Sequence, residues 1–127
     1  ASTTTYLSVE YNITSTRFSY KIKSYFSKSR SWGLHKTDYI LSHEQGHFDI
    51  AEVFARKLHK KLNEYKFNKK TYQKDLQKIY EDITKEKSDT QNEYDRQTNH
   101  SINKEKQAEW LKKIEEMLEE YAVFSDY

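Results

Sequence analysis

The sequence predicts an α+β fold in which an N-terminal antiparallel β-hairpin or small sheet packs on three α-helices. Apolar residues alternate with polar ones up to residue 26, and from residue 37 onward they recur every three or four residues. The chain has 127 residues, which suits one domain over residues 1–127 and is too short for two ordinary domains. Aromatic residues make up 15% of the chain, and each can bury a large area, so a packed core is expected.

Two strands are predicted near the N-terminus. Apolar side chains alternate with polar ones over residues 7–13, which is the period of a half-buried strand. The pattern repeats over Phe18–Phe26 after a predicted turn at residues 14–17, so the two runs predict an antiparallel hairpin. A third short strand is predicted near residues 29–32.

Three helices are predicted after the strands. Thr37 or Asp38 can cap the first one, whose apolar stripe is Ile40, His43, His47, Ala51, Phe54, Leu58, Leu62 and Tyr65. A second helix is predicted after Asn68, with its stripe interrupted at Lys87. The third is predicted to start at Asn103.

Composition narrows the possible functions. The net charge is +2, with 22 basic and 20 acidic residues interspersed, so nucleic acid is not expected as a partner. Cysteine is absent, and any metal must therefore bind through nitrogen and oxygen atoms. No run of 18 apolar residues predicts a membrane span, and the first residues contain no signal peptide.

His43-Glu44-Gln45-Gly46-His47 is the strongest functional signal in the chain. Residues four apart on a helix lie about 5–6 Å apart at Cβ, so both imidazoles can bind one ion. Glu44 then stands beside the metal, where a general base is needed. The structural alternative is two half-buried histidines on an amphipathic helix with an exposed glutamate between them. Because both histidines lie on the predicted buried stripe, the metal-site interpretation is favoured.

A catalytic zinc ion usually takes three protein ligands and leaves one position for water. Asp49 and Glu52 lie about 200° and about 140° around the helix from His47, so they point away from the ion. His35 is too close to the helix start, and His59 is three turns further along. The third ligand is therefore expected from a later element, and the candidates are His100, Glu93, Asp95, Glu105 and Glu109.

His100 falls at the predicted end of the second helix. A lone histidine there more often caps the helix, but an otherwise incomplete metal site favours the ligand role. At this point the chain resembles the bacterial domain of unknown function 922, whose members are described as predicted secreted zinc-dependent proteases. The resemblance covers essentially the whole chain. It rests on the run from His43 to Glu52 with Ala55-Arg56, on Tyr94-Asp95-x-x-Thr98-x-His100 and on Gln107-Ala108-x-Trp110.

The resemblance implies a single zincin-like metallopeptidase domain over residues 1–127 and a secreted or periplasmic location. It also implies that His100 is the third zinc ligand, beside His43 and His47. Members of the family often carry glycine after the later histidine, where this chain has Ser101.

The expected function is hydrolysis of peptide bonds in a peptide or protein substrate, with a zinc-activated water and Glu44 as general base. Tyr94 is a candidate donor to the oxyanion of the reaction, or else a core residue. Phe18–Phe26 could align an extended peptide by backbone pairing, or serve only as part of the sheet. Candidates for orienting the imidazoles, or for surface ion pairs, are Asp49, Glu52 and Asp95.

Two other functions stay open from the sequence. One is a zinc-binding domain without turnover, in which the metal joins the helices to the hairpin. The other is a metal-free helical interaction module, which the long charged helices would suit.

Overall fold

The computed structural model of the chain describes residues 3–26 and 38–127. Within them, a two-stranded antiparallel sheet precedes three α-helices, so the predicted α+β fold is confirmed. The predicted third strand at residues 29–32 and the proposed cap Thr37 lie outside the described residues. The elements are β1 Thr5–Ile13, β2 Phe18–Phe26, α1 Asp38–Glu64, α2 Tyr72–Gln97, α3 Lys104–Glu120 and a short 3₁₀ turn at Ala122–Phe124.

The hairpin closes through a turn that contains no glycine. Ile13 pairs with Phe18, which leaves residues 14–17 as the connection. The Thr14 amide donates to the Arg17 carbonyl at 2.9 Å, and the Thr14 hydroxyl accepts from the Arg17 amide at 3.1 Å. The Thr14 side chain therefore provides a hydrogen-bond partner for the Arg17 amide, and the turn forms without glycine.

Two side chains of α2 donate hydrogen bonds to backbone carbonyls of β1. The Tyr80 hydroxyl donates to the Leu7 carbonyl at 2.6 Å, and the Lys87 ammonium donates to the Thr5 carbonyl at 3.1 Å. Burial lowers the pKa of Lys87. The lysine that interrupts the apolar stripe of α2 thus pairs with a strand edge that would otherwise present a free carbonyl.

Helix α1 is the centre of the fold, because it contacts both strands, both other helices and the 3₁₀ turn. Ile50, Val53, Ala55 and Leu58 have no exposed surface. Each fully buried branched side chain contributes roughly 1.5–3 kcal/mol, so this stretch anchors the fold. The buried part of α1 includes His43, Gly46 and His47, which places the motif against the neighbouring helices.

The start of α3 agrees with the prediction. Asn103 is its N-cap, and the side-chain oxygen accepts from the Lys106 amide at 3.1 Å. Trp110 and Ile114 bury the inner face of α3 against the core. Among the described residues, no helix combines the length and apolar character that a membrane crossing requires.

Candidate metal centre

His43 and His47 on α1 meet Asp95 on α2. One carboxylate oxygen, Oδ1 of Asp95, lies 2.9 Å from Nε2 of His43 and 2.8 Å from Nε2 of His47. The ligand atoms of these three residues all lie within 4.8 Å of one another, and both histidines are buried. The group could hold a metal ion, and it offers two nitrogen atoms and one oxygen atom.

The Tyr94 ring packs against both imidazole rings. Its ring stacks on the His43 ring at 4.6 Å between centroids, and it meets the His47 ring nearly edge-on at 4.9 Å. The Tyr94 hydroxyl donates to the His43 carbonyl at 2.8 Å, and the residue is fully buried. Burial raises the pKa of this hydroxyl, which therefore keeps its proton. The geometry favours packing for Tyr94, and the oxyanion role stays a prediction.

Two glutamines hold the far sides of the imidazole rings. Oε1 of Gln107 lies 2.6 Å from Nδ1 of His43, and Oε1 of Gln91 lies 2.5 Å from Nδ1 of His47. The Nε2 atoms are then the ones that face Asp95. Sequence analysis did not single out either glutamine as a site residue.

Electrostatics at the centre favours an ionised carboxylate. Burial raises the pKa of Asp95, but hydrogen bonds from His43 and His47 outweigh it, and the net pKa lies well below the usual range. For His47, burial lowers the pKa, whereas the bonds to Asp95 and Gln91 raise it, and the net shift is upward. The carboxylate thus attracts a positive charge at the Nε2 atoms.

A cavity of about 350 Å³ opens onto the three residues. Glu44 lines it and accepts a hydrogen bond from the Thr3 hydroxyl, which comes from the segment before β1. Two larger grooves, of about 520 and 550 Å³, run along α2, but no histidine lines either of them. Of these three cavities, the small polar one is therefore the one that histidines line.

His100 lies at the rim of the same cavity. Its Nδ1 is 3.9 Å from Oδ2 of Asp95, and 76% of its side chain is exposed. The structure brings Asp95, one of the carboxylates left open by the sequence, to the two histidines. His100 as the third ligand stays a prediction.

The turn that carries His100 has an unusual backbone. Asn99, His100 and Ser101 have φ values of 47°, 52° and 81°, in the left-handed region. The Tyr39 hydroxyl donates to the Ser101 carbonyl, and the Asn103 amide donates to the Thr98 carbonyl at 2.8 Å. Such strain persists only where surrounding contacts impose it, and it clusters at functional sites.

Asp49 and Glu52 are occupied elsewhere, as expected from their helical positions. Asp49 accepts from Gln45 at 3.0 Å. Glu52 accepts from Arg56 at 2.7 Å and from the Tyr127 hydroxyl. Neither carboxylate belongs to the metal-binding group found among the described residues.

Gln91 and Asp95 could have been found by one sequence signal. They lie four residues apart on α2, so they share one helix face and point to the same place. A similar signal exists for Gln107, which lies three residues before the buried Trp110 and therefore on the same inner face of α3. Helix faces alone do not show that these residues contact the histidines, because that depends on how α2 and α3 cross α1.

Comparison with known protein families identifies the family to which the chain belongs. The family model described as "Bacterial protein of unknown function (DUF922)" matches residues 2–101. The matched part contains the hairpin, α1, α2 and the turn at residues 99–101, and it ends before α3. No curated protein and no solved structure matches the chain.

Proposed function

The chain belongs to the DUF922 family of bacterial proteins, whose function is unknown, and we propose that it is a zinc-dependent metallopeptidase. The observation that carries the proposal is the meeting of His43 and His47 with Asp95 beside the half-buried Glu44. Two nitrogen ligands and one carboxylate, with space left for water, are the donor set of a catalytic zinc site.

The donor chemistry fits zinc better than the hard cations. Mg²⁺ and Ca²⁺ prefer six or more oxygen ligands, and this group offers one carboxylate and two imidazoles. Copper and nickel also accept imidazole, so metal competition belongs in the test. When bound, zinc supplies an acidified water and a Lewis acid for the substrate carbonyl.

Each residue has a defined task in the proposal. His43, His47 and Asp95 would hold the ion, and the burial of the two histidines excludes bulk water from one side. Glu44 takes a proton at a carboxylate oxygen and later delivers it to the leaving amine. Its position on the cavity wall, one residue after His43, supports this task.

The substrate proposed is an extended peptide. Within residues 3–26 and 38–127, β2 pairs only with β1, and the proposal assigns backbone pairing with the peptide to its second edge. Phe26, at the end of β2, packs edge-on against Phe48 at 4.8 Å, next to His47 in sequence. The end of β2 therefore lies near the metal group. A secreted or periplasmic location and a zincin-like fold belong to the same proposal.

The proposal is tested by measuring zinc content and peptide hydrolysis on the same preparation. The wild type is expected to bind one zinc ion and to cleave members of a quenched fluorescent peptide library. Glu44→Gln is expected to keep the zinc and to lose about 100- to 10,000-fold in rate, since a general base contributes that much. Glu64→Gln, at an exposed position near the end of α1, is the matched control and should leave both unchanged.

Each contrary outcome has a clear meaning. Zinc binding without hydrolysis by the wild type would favour the domain without turnover. No zinc in metal-replete protein would favour the helical interaction module and overturn the proposal. Hydrolysis that survives Glu44→Gln would refute the general-base task.

A further inference from the structure

Gln91 contacts His47 at two atoms. Its Oε1 lies 2.5 Å from the His47 Nδ1, and its Nε2 donates to the His47 backbone carbonyl at 2.9 Å. A carbonyl oxygen accepts only, so the amide nitrogen must face it. The amide oxygen must then face Nδ1, and Nδ1 must carry a hydrogen. The contact pair removes the usual ambiguity of a glutamine amide.

Gln107 contacts His43 through a short chain of hydrogen bonds. Its Oε1 lies 2.6 Å from the His43 Nδ1, and its Nε2 donates to the Tyr94 hydroxyl at 2.8 Å. The Tyr94 hydroxyl uses its own hydrogen for the His43 carbonyl at 2.8 Å, so it must accept from the glutamine. The amide oxygen of Gln107 therefore faces Nδ1, and His43 carries its hydrogen there.

Both chains of contacts lead to the same arrangement. Each glutamine binds a histidine at the ring and at the backbone carbonyl, directly for His47 and through Tyr94 for His43. In this structure the Nε2 atoms also donate to Asp95. With hydrogen held on both Nδ1 atoms, the Nε2 atoms are the ones that would give up their hydrogen and bind a metal beside Asp95. Both rings are also held against rotation, because each is bonded at its far side.

We propose that Gln91 and Gln107 are positioning residues that hold His43 and His47 in the metal-binding tautomer and orientation. The inference rests on the metal site of the proposed function, but not on peptide hydrolysis. Gln107 comes from α3, beyond the residues that the family model matches. The third helix is therefore part of the metal centre, although the motif lies on α1.

A neutral amide is suited to this task in a way that a carboxylate is not. A glutamate could still accept from Nδ1, but it could not donate to the His47 carbonyl or to Tyr94. At position 107, where 1% of the residue is exposed, a carboxylate would also lose its hydration. The amide both accepts from Nδ1 and donates to the second partner, and it places no second negative charge near Asp95.

The test uses variants of the half-buried Gln91 first, because Gln107 is buried and its variants can fail to fold. Gln91→Met removes the acceptor at similar length and is expected to weaken zinc binding about 10- to 100-fold. Gln91→Glu keeps the acceptor and should recover part of that loss. Gln77→Met is the matched control, since Gln77 is exposed on the same helix and bonds only Glu81 at 2.6 Å among the hydrogen bonds observed.

Nitrogen-15 spectra of the histidine side chains provide a second measurement, made on metal-free and on zinc-loaded protein. The wild type should show slowly exchanging Nδ1–H signals for His43 and His47. Gln91→Met should lose the His47 signal and keep that of His43, whereas Gln107→Met should do the reverse. A change in overall stability alone would not produce this selectivity.

The outcomes separate the inference from the proposed function. Zinc binding with protected Nδ1–H signals in a wild type that hydrolyses no peptide would overturn the metallopeptidase and support the positioning of the rings. A Gln91→Met variant with unchanged zinc affinity and an intact His47 signal would overturn the inference and leave the metallopeptidase standing.

Discussion

The ring of Tyr94 lies where a side chain on residue 46 would begin. A Cβ added to Gly46 would be 2.7 Å from Cζ of Tyr94, and the hydroxyl oxygen would be closer still. Real Cβ atoms essentially never approach another atom below 3.0 Å. The tyrosine cannot retreat freely, because its hydroxyl is bonded to the His43 carbonyl and to Gln107. The glycine in the motif therefore makes room for the residue that supports both imidazoles.

Gly46→Ala is consequently expected to destabilise the protein by about 1–3 kcal/mol, the usual cost of overpacking a core. Urea unfolding of the metal-free protein measures the change. Gln45→Ala, at the exposed neighbouring position, is the control and should alter stability by less than about 0.5 kcal/mol. If Gly46→Ala changed the free energy of unfolding by less than about 0.5 kcal/mol, Tyr94 would be free to move away from residue 46.

Asp95→Ala and His100→Ala distinguish the two candidates for the third ligand. Asp95 lies against both Nε2 atoms, whereas the His100 side chain is largely exposed at the rim. Loss of a residue that only hydrogen-bonds to a metal ligand weakens binding roughly 10- to 100-fold, and Asp95→Ala is expected to weaken zinc binding by more than that. His100→Ala should change it less than tenfold. Titration with a competing chelator measures both affinities, and the reverse order would establish His100 as the ligand.

Thr3 is hydrogen-bonded to Glu44, the residue proposed as the general base. The Thr3 hydroxyl donates to Oε2 of Glu44 within the cavity, and this bond makes the carboxylate a weaker base. Thr3→Val removes the hydrogen bond at similar shape and is expected to raise kcat/KM about tenfold, in line with a bond to a charged group. Peptide hydrolysis under matched zinc loading measures it. Thr16→Val, in the exposed hairpin turn, is the control; a slower Thr3 variant would show that the contact assists Glu44.

Ser101 adopts a backbone conformation that favours glycine, with φ at 81°. Glycine has no Cβ penalty there, so Ser101→Gly is expected to stabilise the protein by about 1 kcal/mol. Asn99→Gly is the comparison, because asparagine tolerates its φ of 47° and should gain less. Chemical unfolding of both variants measures the difference. A Ser101→Gly variant that is less stable than the wild type would show that the serine side chain supports the turn.

Much of the fold was predictable from local patterns. The strand alternation, the turn at residues 14–17 and the start of α3 at Asn103 follow from short-range chemistry, and the structure agrees with each. Lys87 marks the limit of such reasoning. Its interruption of an apolar stripe had no local explanation, and its reason is a strand carbonyl 82 residues away in the chain.

The sequence by itself determined that His43 and His47 share one helix face with Glu44 between them, because helical geometry dictates the spacing. Only the tertiary structure decided what meets them. Asp95 reaches the two rings from a chain distance of 52 and 48 residues, and Gln107 reaches His43 from 64. Those contacts depend on how α2 and α3 cross α1, and the crossing depends on the packing of the whole core. A motif on one helix is a local property, whereas a candidate metal centre built from three helices is a property of the fold.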